Sequence, residues 1–176
     1  MRSLSTLFIL VVVATGLVAG CKSSSPRPPA NGQRFTFIIK PGSGLEQAEF
    51  PVDVFLVGEE TAKQVAAVKV DDYFKPDNSI RELVKSSDTN TYLSFSFSPS
   101  SSEPVSFTLT KKTRFPNYTK LVVLAKIPVE ISDGSTDPRR RFLPLAPENW
   151  SPNARQVTLT ITSGGIRSDP EPVENP

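Results

Sequence analysis

The sequence predicts a mainly β domain, a two-sheet antiparallel β-sandwich with a short helical insertion. Three observations predict it. Apolar and polar residues alternate with period two in five separate stretches; a helix-like interval lies between the second and third of them; and the segment between the two ends has one domain's worth of residues.

The strands are read in order. Phe35, Phe37 and Ile39 point one way, and Val52, Val54 and Leu56 repeat the pattern with Asp53 on the opposite face. Leu93, Phe95 and Phe97 alternate with Ser94, Ser96 and Ser98. Val105, Phe107 and Leu109 alternate with Ser106, Thr108 and Thr110, and Val157, Leu159 and Ile161 with Thr158, Thr160 and Thr162. Such patterns belong to half-buried antiparallel strands. Leu121-Val122-Val123-Leu124-Ala125 is apolar throughout, as expected of a central strand covered on both faces. Residues 140–145 form a further strand, which Pro144 confines to an edge.

The insertion follows Gly58. Glu59 and Glu60 place acids at the start of a helix running to Ala67, where they complement its dipole. Ser79-Ile80-Arg81-Glu82 fits a capping box. Ile80, Leu83 and Val84 then form one apolar stripe, expected to pack on the sheet.

The ends are of another kind. Residues 1–20 hold one cation, Arg2, then the apolar run Leu7-Phe8-Ile9-Leu10-Val11-Val12-Val13-Ala14 and a small-residue exit at Ala19-Gly20. That is the layout of a secretory signal, too short for a comfortable membrane span. Val18-Ala19-Gly20-Cys21 reads as a lipobox, so Cys21 is expected to carry lipid. A chance cysteine behind an ordinary signal is the plainer alternative. Against it, Cys21 is the only cysteine of the chain and stands at the one acylated position. One acyl chain binds a membrane only marginally, at about 0.8 kcal/mol per buried methylene, whereas the several chains of a bacterial lipoprotein hold it firmly. Lys22 after the cysteine favours the outer membrane, facing the periplasm. Residues 21–33 read as the lipidated cysteine and a Ser/Pro-rich tether, residues 34–162 as the sandwich domain, and residues 163–176 as a disordered tail.

Chemistry is sparse. The chain has no histidine, which removes Ser-His-Asp and Cys-His catalysis and the usual zinc sets. No phosphate-binding glycine motif follows a strand. Asp71-Asp72 reads as a solvated turn before Tyr73-Phe74, with no third acid at calcium-loop spacing. No catalytic residue, metal ligand or cofactor is expected, and the net charge of +2 calls for no nucleic acid. Arg139-Arg140-Arg141 has two readings: a solvated strand edge that discourages aggregation, or a contact for lipid phosphate or an acidic partner. Trp150 is expected to close one end of the core.

The order lipobox, tether, strand, loop, Pro51-Val52-Asp53-Val54-Phe55-Leu56-Val57, helical insertion with Val70-Asp71-Asp72-Tyr73-Phe74, further strands and a final Val157-Thr158-Leu159-Thr160-Ile161 resembles the outer-membrane lipoprotein of the type VI secretion system, the TssJ family. The likeness lies in layout and apolar pattern across most of the mature domain. The family often has an Asn and an Asp-Gly in the loop before its second strand; residues 41–50 have neither. The resemblance implies a transthyretin-like sandwich with added helices. It implies a protein that binds the periplasmic C-terminal domain of the inner-membrane secretion component and so tethers and helps assemble the trans-envelope complex. It places partner contact in the first interstrand loop, here Pro41, Gly42, Ser43, Gly44, Leu45, Glu46 and Gln47. Gly42 and Gly44 permit close backbone approach, and Leu45 is expected as an apolar tip. The alternative is an envelope binding module for a small ligand or another envelope protein; an enzyme is a distant third.

Overall fold

A computed structural model describes residues 35–86, 91–109, 118–128, 136–146, 149–151 and 154–173. The expected signal, Cys21 and tether lie outside the described residues.

Eight strands form two four-stranded sheets. One sheet is ordered β4 (Val105–Leu109), β1 (Phe35–Pro41), β7 (Gln156–Thr162) and β8 (Gly165–Asp169). The other is ordered β3 (Tyr92–Phe97), β2 (Phe50–Val57), β5 (Lys120–Ala125) and β6 (Arg140–Pro144). The sandwich is therefore as expected, with one local difference: β1 pairs with β7 in parallel, Phe37 opposite Val157 and Ile39 opposite Leu159. These strands are joined through the whole remainder of the domain. No hairpin constrains their direction, and a parallel pair needs only a long connection.

The period-two pattern does the work of assembly. Phe37, Ile39, Val157, Leu159 and Ile161 project from one sheet onto Val52, Val54, Leu121 and Val123 of the other, all at essentially zero exposure. Trp150 closes an end of this core against Phe35 and Phe37, and its indole N–H donates to the Pro144 carbonyl at 2.9 Å. The apolar run of β5 is central, as expected, because its outer face is covered too. There Phe55, Val122 and Leu124 meet Val65, Val70, Tyr73 and Val84 from the insertion. Three helices carry these residues: α1 (Glu59–Ala67), α2 (Val70–Tyr73) and α3 (Ser79–Lys85). Among the described residues they roof the β3-β2-β5-β6 sheet.

Four expectations change, the first being Leu83, which stands 48% exposed while Val84 of the same expected stripe is buried. The cap of α3 is Asn78 rather than Ser79; its side chain accepts from the Arg81 N–H at 2.9 Å. Asparagine is as good a cap as serine, so the start shifts by one residue. Phe95 is half-buried, whereas Phe97 is 2% exposed. Strand β3 is an edge strand, so only its far end reaches the centre of the core. The tail expected from residue 163 is structured through β8, which pairs with β7 as Ile161 with Ile166 and Thr160 with Arg167. Ile166 and Ser168 face inward, and the two-residue turn Ser163-Gly164 leads to Gly165 at φ 115°, a conformation glycine takes readily. A Cβ at Gly165 would stand 2.5 Å from Pro138, so this glycine also serves close packing.

Candidate partner-binding loop and the polar groups around it

The loop from β1 to β2 is held rather than free. As the chain leaves β1, the Gly42 N–H donates to the Ile161 carbonyl at 2.7 Å. A Cβ at Gly42 would lie 2.6 Å from Thr160 Cγ2 and 2.8 Å from Thr162 Cγ2, so the backbone runs hard against β7. The Ser43 carbonyl accepts from Ser163 N at 3.3 Å. Gly44 turns at φ 83°, and its N–H donates to both carboxylate oxygens of Glu46 at 3.1 and 3.0 Å. Hydrogen bonds from its own N–H and that of Gly44 hold the Glu46 carboxyl below the ordinary range.

Leu45 corrects the expected apolar tip. It is 4% exposed and belongs to the main core with Phe50 and Phe97. A leucine in a glycine-bordered loop gains more by burial than by standing in water, and the turn at Gly44 sends it inward. Its carbonyl accepts from Ala48 N at 3.0 Å, closing the turn. Ser43, Gly44, Glu46 and Gln47 remain exposed, whereas Pro41 and Gly42 are half-covered. An open cleft of about 270 Å³ runs beside the loop, lined by Leu45, Glu46, Ala48, Phe97, Ser98 and Ser102 among others.

The arginine run is the second correction, for neither a bare strand edge nor a free anion contact is found. Arg139 is 5% exposed; it pairs with Asp137 at 3.0 Å and Asp71 at 2.9 Å. Burial works against the charge of Asp137, but the Arg139 hydrogen bonds outweigh it and hold the carboxyl below its usual range. Arg140 donates to the carbonyls of Val65 and Val68 at 2.8 and 2.9 Å, where α1 ends. Cations suit that position because the last helical carbonyls lack partners. Burial lowers the Arg140 pKa. Arg141 meets Ser168 within β8 and Glu171 just beyond it. The run therefore ties α1, α2 and the C-terminal segment to edge strand β6. Asp71 and Asp72 lie in the first turn of α2 rather than in a solvated turn before Tyr73; Asp71 pairs with Arg139 and Asp72 with exposed Lys75.

Sequence reasoning missed the most buried charge. Asp53 has zero exposure and lies under the helices. It accepts from Tyr73 OH at 3.0 Å, Tyr92 OH at 2.9 Å, Ser94 Oγ at 2.7 Å and Arg81 Nε at 2.9 Å. Arg81 also lies over the Phe74 ring, 5.0 Å from its centroid. Burial, then the charge of Asp53, pushes the Tyr73 phenol far above its ordinary value. Each of these four donors is aimed at the one carboxylate of Asp53. The cluster clamps α2 and α3 to β2 and β3. A signal existed: Phe55 and Val57 share the face of Asp53, which marks that face as covered. Among the described residues no group of acids, histidines or cysteines is placed to hold a metal ion, and no helix is long and apolar enough to cross a membrane.

No family model matches the chain, and no curated protein matches it. Among solved structures it is similar to Serratia marcescens Lip, a membrane-bound component of the type VI secretion system. Identity is 15% and the TM-score 0.48, over 82% of this chain and 99% of that one. It is also similar to the C-terminal domain of the type VI secretion protein TssM from EAEC, at 11% identity and TM-score 0.49, over 76% of this chain and 98% of that one. Both are likenesses of architecture.

Proposed function

We propose that the chain is a lipoprotein anchored by lipid on Cys21 in the periplasmic face of the outer membrane. There it tethers and helps assemble the trans-envelope complex of a type VI secretion system by binding the periplasmic C-terminal domain of its inner-membrane component. The observation that carries the reading is the lone cysteine at the end of a signal-like segment, followed by a tether and a sandwich. The helical insertion between β2 and β3 is the arrangement the sequence resemblance implies. The polar clusters support a structural role, since each binds the domain's own elements together.

The contact is assigned to the exposed rim of the first loop, Ser43, Gly44, Glu46 and Gln47. Leu45 and Gly42 hold that rim in place from beneath. A rim fixed before binding loses little freedom on docking, which favours recognition through backbone and short polar groups. Titration calorimetry with the purified inner-membrane domain tests this. Ser43→Arg with Gln47→Arg alters two exposed side chains and none of the buried ones. The pair should weaken binding at least about tenfold, near 1.4 kcal/mol, at an unchanged melting temperature. Unchanged affinity with an intact fold would remove the loop from the interface.

A further inference from the structure

The two sheets are finished differently on their outer faces. Helices cover one; among the described residues no helix packs on the other, the outer face of β4-β1-β7-β8. Strand register sets the rows of that face. Thr36 faces Thr108, their hydroxyls 3.2 Å apart, and Ile38 faces Thr158. The next row sets Lys40, Thr160 and Arg167 side by side. Two strand spacings put the two cationic residues roughly 10 Å apart at Cα. Both are exposed, and neither has an ion pair or hydrogen bond with a described residue. Asp169 is the acid of this face; it lies two residues along β8 from Arg167 and forms no salt bridge with it. Among the described residues the face is hydroxyl-rich and carries two cations against one acid.

The tether reaches the domain at this same sheet. Strand β1 begins at Phe35, and 13 residues, 22–34, separate it from Cys21. At about 3.1 Å per residue they span roughly 40 Å when extended. The face from Thr36 to Lys40 is only about 13 Å long. The tether is thus long enough to let this face lie flat on the bilayer that holds the lipid. The segment between Cys21 and β1 also carries Lys22, Arg27 and Arg34 and no acid, so it adds to the same charge.

We propose that the outer face of β4-β1-β7-β8 lies against the anionic lipid surface of the membrane holding Cys21, with Lys40 and Arg167 meeting phosphate headgroups. The inference rests on acylation of Cys21. It leaves the helical roof turned away from the bilayer. Each cation close to an anionic leaflet favours the docked state about fivefold, so the two together shift it about 25-fold.

The acylated full chain, reconstituted in vesicles, tests the proposal. A polarity-sensitive dye is attached to Thr158→Cys on the face or, separately, to Gln64→Cys on exposed α1. Vesicles are either phosphatidylcholine alone or phosphatidylcholine with phosphatidylglycerol. The dye at position 158 should shift to the blue only with phosphatidylglycerol, and the dye at 64 in neither. Lys40→Gln with Arg167→Gln should return the shift to the phosphatidylcholine level, and Lys40→Gln alone should reduce it. Inorganic phosphate added to phosphatidylcholine vesicles should reproduce none of it. Equal emission in both vesicles, a shift the double variant keeps, or a shift that follows protein density in phosphatidylcholine would overturn the inference. Flotation with vesicles is read in parallel. A chain that floats without a shift defeats this inference alone; a chain that does not float defeats the lipid anchor and this inference with it.

Discussion

At the scale of single residues, stability turns on a few side chains that the sequence pattern places differently from the structure. Leu45 has no place in the alternation of β1 or β2, so its sequence position gave it a surface role. The structure buries it because Gly44 reverses the chain. Leu45→Ala should therefore destabilise the domain by about 2–4 kcal/mol. Denaturant unfolding checks this, and a midpoint within error of the parent would return Leu45 to the surface. Tyr73 gives a pH prediction. Its phenol is held protonated in the folded domain by burial and by Asp53, so its folded pKa lies above the unfolded value of about 10. The stability this contributes is complete below about pH 10 and is lost as pH rises through the range above it. The parent's melting temperature should fall steeply above pH 10. Tyr73→Phe should start lower, having lost a hydrogen bond, and fall less steeply. Parallel slopes would place the alkaline transition elsewhere. Tyr92 moves in the same direction, again chiefly through burial, so the flattening is partial.

At the scale of elements, legibility followed periodicity. Strands β3, β4 and β7 alternate cleanly, β1 and β2 alternate over part of their length, β5 is apolar throughout, and β6 ends at Pro144; each of these strands was readable. Strand β8 was not. Gly165-Ile166-Arg167-Ser168-Asp169 offers a single large apolar residue, and its neighbours are glycine, proline and charge, the composition of a tail. What makes it a strand is pairing with β7 and the link from Arg141 to Glu171, neither visible locally. The ties of the arginine run were hidden for the same reason. Asp71 and Arg139 are 68 positions apart. Edge position also decides how much a strand residue matters. Phe97 lies 5.6 Å from the Phe50 ring and is buried, whereas Phe95 is half-covered on an edge strand. Phe97→Ala should cost about 3–5 kcal/mol and Phe95→Ala clearly less. Equal losses in thermal melts would contradict the register of β3.

At the scale of the whole molecule, the described surface offers few apolar handles. Leu83 and Val173 are its exposed large hydrophobic residues. On the proposed function, a partner at this surface would meet mainly polar groups and backbone, as on the rim of a pinned loop. The first loop was legible as the connection between β1 and β2, and Leu45 within it was misread, for it turns inward. The domain carries its own stability through packing, since the chain has no second cysteine for a disulfide. On the proposed function, membrane anchoring rests on residues 1–33 and above all on one thiol, that of Cys21. The most direct test is metabolic labelling with a clickable fatty acid, comparing the parent with Cys21→Ser in cells that make bacterial lipoproteins. The parent should take up label and partition with the outer membrane. The variant should take up none while its sandwich still folds. Equal label on both would contradict the account.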